Sequence, residues 1–572
     1  MTVARFGSRL LLLVVVCLFC LSLPLGAAAG PAPDGPVISL SGQFVFLWGD
    51  PGPAAVAAGT PQPWLATAGG SIPLRLTGGL ALPPGGLLAL NRRPVNVQGW
   101  WLGAPGPGTA LQVEAIALVL PEPAGGPEGL VGSQPWVSVL CKFKDIVAEP
   151  KNLAYFQGMY ANAFPGLDHY WRQVSYNNID LVGSAAVGWY TLPQPRSYYV
   201  YDNDGDGDVE LDWGRAADDC TGVADPDVYY PQYVGINLMF NADLDCCAWG
   251  GSWYVNRDGQ NKLYRMTWEP PWGYGNIGVI SHETGHGFGL PHSSGDYGQV
   301  YDNRWDVMSD IWTDCGNLTD PTYGCVGQGT ISYHLDLEGW VVAGRKATVN
   351  RGSRTTLTLE RLHLPPGGNY LLAQIPIEGS PTWFYTVEAR RKVGYDLKLP
   401  AQGVILHEVD TSRNEPAHVV DVDGDGNTGD AYFSVGQSFT DAANGVVVSV
   451  DAATATGYTV TISNRYVPPV HVRSIALRYQ AKNGLYLVKA GVRIVDASHA
   501  PVAGATVSAE WTLPDGSKLD ADATTNATGQ AVFKTKSGLV GSYGLCVTAV
   551  SKAGMVYDPG QNHVTCRELP VP

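Results

Sequence analysis

One eleven-residue segment constrains this chain more than any other: His282-Glu283-Thr284-Gly285-His286-Gly287-Phe288-Gly289-Leu290-Pro291-His292. The apolar run Ile277-Gly278-Val279-Ile280 leads into it, and together they predict a helix over Asn276–Leu290. On a helix, residues four apart lie on one face, so His282 and His286 can reach the same cation. Gly289 predicts a sharp exit from the helix through positive φ. That exit would bring His292 round as a third imidazole. Three imidazoles suit Zn²⁺ and leave a fourth position open, the condition for a catalytic rather than a purely structural metal. Glu283, beside the first ligand but rotated off the ligand face, is placed as a general base. Such a zinc lowers the pKa of water toward neutrality and polarises a carbonyl. The expected chemistry is peptide hydrolysis without a covalent intermediate.

A second feature follows. In Arg304-Trp305-Asp306-Val307-Met308-Ser309-Asp310, Met308 is placed to form an apolar floor beneath the metal. The eleven-residue pattern and this turn resemble the zinc motif and Met-turn of metzincin peptidases. The wider chain resembles the gametolysin and immune-inhibitor-A-like kind. The segments that carry the likeness are Tyr170–Tyr176, Val187–Tyr190, Gly250-Gly251-Ser252 and Leu337–Trp340, then Tyr385–Arg390, Leu399–Val404 and His407–Asp410. The likeness covers residues 134–466. It implies a zinc-dependent endopeptidase acting on protein or peptide substrates. Astacin- and serralysin-type enzymes carry a tyrosine two residues after this methionine. Here that position is Asp310, so no tyrosine zinc ligand is expected there. Such enzymes are often made as zymogens, but no cysteine-switch segment of the Pro-Arg-Cys-Gly type precedes the zinc motif.

The N-terminus reads as a secretory signal over residues 1–29, with Arg5 and Arg9, an apolar run Leu10–Leu25, and Ala27-Ala28-Ala29 as the cleavage site. No other segment is long and apolar enough to span a membrane. Secretion makes disulfides the expected state of the eight cysteines beyond Cys17 and Cys20. Cys315 with Cys325 and Cys546 with Cys566 are the short-range candidates. Cys220 with Cys246 or Cys247 is a further pairing, and Cys141 is left open. The net charge of −16 argues against nucleic acid as a partner.

The fold expected is multidomain. An α/β metzincin-like catalytic domain, with a mixed sheet and a zinc-binding helix, occupies 134–345. Residues 30–130 form an N-terminal β-rich module or propeptide, with Pro121–Pro127 as a linker. Residues 346–466 form a second β-rich domain, and 470–572 a C-terminal Ig-like β-sandwich. Two Asp/Gly segments match the first half of a calcium loop: Asp202, Asp204 and Asp206 in one, and Asp421, Asp423, Asp425 and Asn427 in the other. Neither has a glutamate at the twelfth position, so Glu210 or Asp212 in the first and Asp430 in the second are the candidates to complete the shell. The alternative to an enzyme is a calcium-stabilised extracellular binding protein on a peptidase-like scaffold, with surface or glycan binding through its C-terminal domain.

Overall fold

The computed structural model describes residues 35–53, 61–106, 108–119, 129–203, 205, 207–295 and 301–572. The expected signal over residues 1–29, the expected linker Pro121–Pro127, and Asp204 and Asp206 of the first Asp/Gly loop lie outside the described residues. The chain is multidomain and rich in β-structure, with few helices. No described helix is long and apolar enough to cross a membrane.

The first half is organised by one ten-stranded sheet. Its N-terminal strands are β1 (Ile38–Pro51), β2 (Gln62–Thr67), β3 (Gly70–Leu76), β4 (Arg93–Trp101) and β5 (Leu111–Leu118). The others are β6 (Trp136–Lys142), β7 (Ala185–Thr191), β8 (Gly235–Phe240), β9 (Cys247–Arg257) and β10 (Gln260–Glu269). The order is β2-β3-β5-β4-β1-β9-β10-β8-β6-β7, with β2 also paired to β1. That extra pairing closes the first five strands into a barrel around Phe44, Phe46, Trp48, Val95 and Val113. A closed barrel leaves few free strand edges.

Val37–Leu40 and Phe44–Leu47 are two apolar runs separated in the sequence by Ser41-Gly42-Gln43. From Ile38 they form one strand of 14 residues. It runs unbroken through Gly42, where a Cβ would lie 2.7 Å from the Ala66 carbonyl oxygen, so only glycine lets β2 pass so close. The strand serves two partners. Ile38–Phe44 pairs with β4, and Leu47–Pro51 pairs antiparallel with β9. The N-terminal barrel is therefore joined to the next unit through a shared sheet.

Strand β8 is buried along its whole length and runs parallel to both β6 and β10. Its continuous apolar sequence is what a strand covered on both faces requires. Helices α1 (Leu167–Val174) and α3 (Ile277–Phe288) contribute to one core, and α2 (Trp213–Ala224) to another. Within Lys151–Tyr176 two helices form, Leu153–Gly158 and α1, the second starting directly after Pro165-Gly166. Cys141–Cys220 ties β6 to α2, and Cys246 pairs with its neighbour Cys247 at the start of β9. This differs from a Cys220 pairing with either of those two. Cys315–Cys325 and Cys546–Cys566 form.

Directly after His292, Ser293–Gly295 pairs in parallel with Ala417–Val419 at the edge of a six-stranded sheet. The region from 346 onward thus grips the chain where it leaves the third histidine. At the C-terminus, two four-stranded sheets enclose a separate core built from Val470 to Val571.

Candidate metal centre

Helix α3 ends as its residue pattern requires. Gly289 sits at φ 122°, and its amide donates to the Gly285 and His286 carbonyls. Leu290 N also donates to the Gly285 oxygen, so the chain turns and His292 returns over the helix. The three imidazoles converge. Nε2 of His282 lies 3.0 Å from that of His286 and 3.2 Å from that of His292, and the His286–His292 separation is 2.9 Å. A tetrahedral zinc with Zn–N bonds of about 2.0–2.1 Å needs N···N edges of roughly 3.3 Å. The rings are oriented from behind: His282 Nδ1 donates to the Val307 carbonyl at 2.6 Å and His286 Nδ1 to the Leu290 carbonyl at 2.8 Å. Each Nε2 is thereby left with its lone pair facing the shared centre.

The apex of this triangle is occupied by a residue absent from the sequence reasoning. Asp50, at the end of β1, brings Oδ1 to 2.9 Å from His292 Nε2 and 3.0 Å from His282 Nε2, with Oδ2 at 3.3 Å from His286 Nε2. Asp50, His282, His286 and His292 form one buried group able to hold a metal. Trp48, two residues earlier, stacks on His286 with ring centroids 4.6 Å apart and planes 5° from parallel. In the sequence, Trp48-Gly49-Asp50-Pro51 looks like a strand end. Only the register Trp48↔Gly250 and Asp50↔Ala248 places the carboxylate over the histidines.

Electrostatics reflect this packing. Burial alone would raise the Asp50 pKa, but His282 and His292 hold it well below the usual carboxylate range. Burial lowers His286 to about 3, with the neighbouring His292 adding to the effect. For His282, burial works downward, and Asp50 more than offsets it. Glu283 is fully buried and both its carboxylate oxygens lack a hydrogen-bond partner. Burial, then the charges of Asp50 and Glu269, push it well above its ordinary value. Glu269, the last residue of β10, is a second unanticipated carboxylate; burial pushes it up to about 8. Orphaned buried oxygens beside three converging imidazoles fit a cation with a polar ligand, since such groups otherwise carry a full desolvation cost.

Gly250 explains how β9 and α3 approach so closely. A Cβ there would lie 2.7 Å from both the Glu283 carbonyl oxygen and Oε2, and 2.9 Å from His286 Cβ. Met308 is fully buried under the helix; its Sδ would meet a Cβ on Gly285 at 2.5 Å. The turn that carries it is pinned by Asp306, which accepts from Met308 N, Ser293 Oγ and Thr330 Oγ1 and lies 3.1 Å from His334 Nδ1. Burial would raise Asp306, and His334 outweighs it, holding the carboxylate ionised. Tyr301 was also not anticipated. Its ring lies 4.9 Å from that of His292, and its hydroxyl donates to the Gly49 carbonyl at 3.0 Å.

The two Asp/Gly loops are distant in sequence from this centre. In the first, Asp202 accepts from the amides of Gly205 and Gly207, and Glu210 Oε2 accepts from Asn203 N. Asp212 instead caps α2 through Arg215 N. In the second, Asp421, Asp423, Asp425 and Asp430 form a group able to hold a cation. Asn427 turns its oxygen to Gly429 N and Arg304 and gives its amide to Asp430. No protein-family model and no curated protein matches this chain.

Proposed function

We propose that the chain is a secreted, metzincin-like zinc endopeptidase held in a latent form by its own N-terminal barrel. The observation that carries this reading is the convergence of three imidazole Nε2 atoms and the Asp50 carboxylate next to a buried, unpartnered Glu283. His282, His286 and His292 would hold the zinc, which supplies Lewis acidity toward a peptide carbonyl when bound. Glu283 takes a proton from the attacking water and returns it to the leaving amine. Met308 and the Asp306 turn keep the floor of the site fixed. Disulfides suit an oxidising compartment.

Latency follows from where β1 lies. Its last five residues add to β9 as an antiparallel strand. An extended peptide substrate would bind that same strand by main-chain hydrogen bonds. The barrel therefore fills the substrate's place, while Asp50 takes the position the reacting carbonyl and water need. Burial first and the Asp50 charge second push Glu283 above its ordinary value; withdrawal of β1 removes the Asp50 charge and opens the carboxyl to water, and both changes favour the base.

The experiment is casein hydrolysis by the full-length protein before and after limited proteolysis between residues 119 and 135, with bound zinc counted. Activity is expected only after cleavage, and Glu283→Gln abolishes it while zinc content stays unchanged. Zinc-free protein that hydrolyses casein, or full activity in Glu283→Gln, refutes the proposal.

A further inference from the structure

Three more histidines meet outside the candidate metal centre, in the C-terminal sandwich. His471 is the third residue of the strand Pro469–Lys482, His499 lies in the turn after Leu485–Asp496, and His563 precedes the strand Cys566–Val571. Each offers a ring nitrogen, and these nitrogens lie within 4.8 Å of one another. The ring centroids form a nearly equilateral triangle with sides of 5.6, 5.7 and 5.8 Å.

The backbone holds this triangle in place. His563 N donates to the Val472 carbonyl at 2.9 Å, and Asn562 Oδ1 accepts from Val472 N at 2.8 Å, so two of the three segments are clamped together. His499 has a left-handed backbone at φ 64°. For a non-glycine residue that conformation is strained and needs support from its surroundings. Asp496 provides it, its Oδ1 accepting from Ser498 N, Ser498 Oγ and Ala500 N. The turn is thus fixed with its imidazole facing the other two.

His471 supplies an independent observation. It is 2% exposed, and its Nδ1 has no hydrogen-bond partner. A buried ring nitrogen without a partner costs free energy unless a ligand satisfies it. One group competes for the site. Arg473 Nη1 lies 2.7 and 2.9 Å from the two ring nitrogens of His563. A guanidinium can only donate, so it occupies a lone pair that a cation would also use. The Arg473 side chain is exposed and free to swing into solvent.

From this geometry we infer that His471, His499 and His563 form a second site for one zinc-class divalent cation, pinning three chain-distant segments of the sandwich. Three imidazoles select borderline cations such as Zn²⁺, Cu²⁺ or Ni²⁺ over Ca²⁺ or Mg²⁺, which require oxygen ligands. This site stands independently of the catalytic reading.

The test is zinc stoichiometry. Full-length protein, stripped with chelator and kept in excess calcium, is titrated with zinc at micromolar free concentration. His499 and His563 are exposed, so His499→Ala/His563→Ala is expected to keep its metal-free melting temperature. It is expected to bind one zinc equivalent fewer than wild type, and Arg473→Ala to bind that equivalent more tightly. A double variant with wild-type stoichiometry and affinities overturns the inference. His286→Ala, titrated in parallel, reports the catalytic candidate separately: an equivalent lost there and kept in the double variant belongs to the first centre alone.

Discussion

Asp50 and His292 are 242 residues apart in sequence and 2.9 Å apart in space. The contact exists because β1 overruns its own barrel and pairs with β9, the strand beside the zinc-motif helix. Asp50→Ala leaves that pairing intact and removes the carboxylate from the three histidines. Because β1 still fills the place of an extended protein substrate, full-length Asp50→Ala is expected to need cleavage before it hydrolyses casein, but to hydrolyse a short peptide without prior cleavage at least about tenfold faster than uncut wild type, a change of about 1.4 kcal/mol in effective barrier. Initial rates on uncut protein, checked for integrity by gel, measure it. Equal rates would mean that Asp50 does not maintain latency.

Tyr301 donates to the Gly49 carbonyl, an atom of the same segment that carries Asp50. In the proposed activation, loss of β1 would release that hydroxyl next to His292, where the proposed reaction places the substrate carbonyl. A donor aimed at developing negative charge contributes mostly to the transition state. Tyr301→Phe in the cleaved enzyme is expected to lower kcat about 10²-fold with little change in KM. A rise in KM at constant kcat would assign Tyr301 to substrate binding instead.

The second Asp/Gly loop is wired to the floor of the candidate site. Arg304 reaches Asn427, Trp305 Nε1 donates to the Thr428 carbonyl at 2.8 Å, and Thr428 Oγ1 donates to the Asp302 carbonyl. These residues lead directly into Met308. Calcium bound by Asp421, Asp423, Asp425 and Asp430 would stabilise only the folded loop, and so raise the melting temperature by mass action. Millimolar calcium is expected to raise Tm by several degrees in wild type and to have a much smaller effect in Asp423→Asn/Asp425→Asn. Equal calcium shifts in both proteins would remove this loop from the list of binding sites.

What could be read from sequence was whatever depends on local spacing. The helical i, i+4 relation of His282 and His286, the break at Gly289 and the return of His292 are all encoded within eleven residues. The disulfides of short span, Cys315–Cys325 and Cys546–Cys566, were legible for the same reason. Asp50, Glu269, Tyr301 and His334 were not, because each acquires meaning only through long-range pairing. A one-residue shift in the β1–β9 register would turn Asp50 to the opposite face of the sheet. The long strand β1 was also hidden, since Gly42 reads as a break in sequence and acts as a close-approach point in space. The Cys141–Cys220 pairing likewise waits on α2 packing against β6.

Lys398 gives a stability test away from the metal centre. Its ammonium group is buried and donates to the Ile311 carbonyl at 2.6 Å. Burial lowers its pKa to about 7, opposed in part by Asp310 and Asp314. The folded protein thus releases this proton near pH 7, whereas the unfolded chain keeps it to about 10.4. Between those values the unfolded state binds more protons, so this group makes stability rise with pH, by up to about 1.4 kcal/mol per unit. Lys398→Met removes the buried charge. It is expected to raise the melting temperature most at pH 6 and progressively less as pH approaches 10. Above that, the lost hydrogen bond to Ile311 leaves the variant equal to or below wild type. Melting temperatures of both proteins at pH 6, 8 and 10 decide the matter: a difference independent of pH would show that Lys398 titrates alike in the folded and unfolded chain.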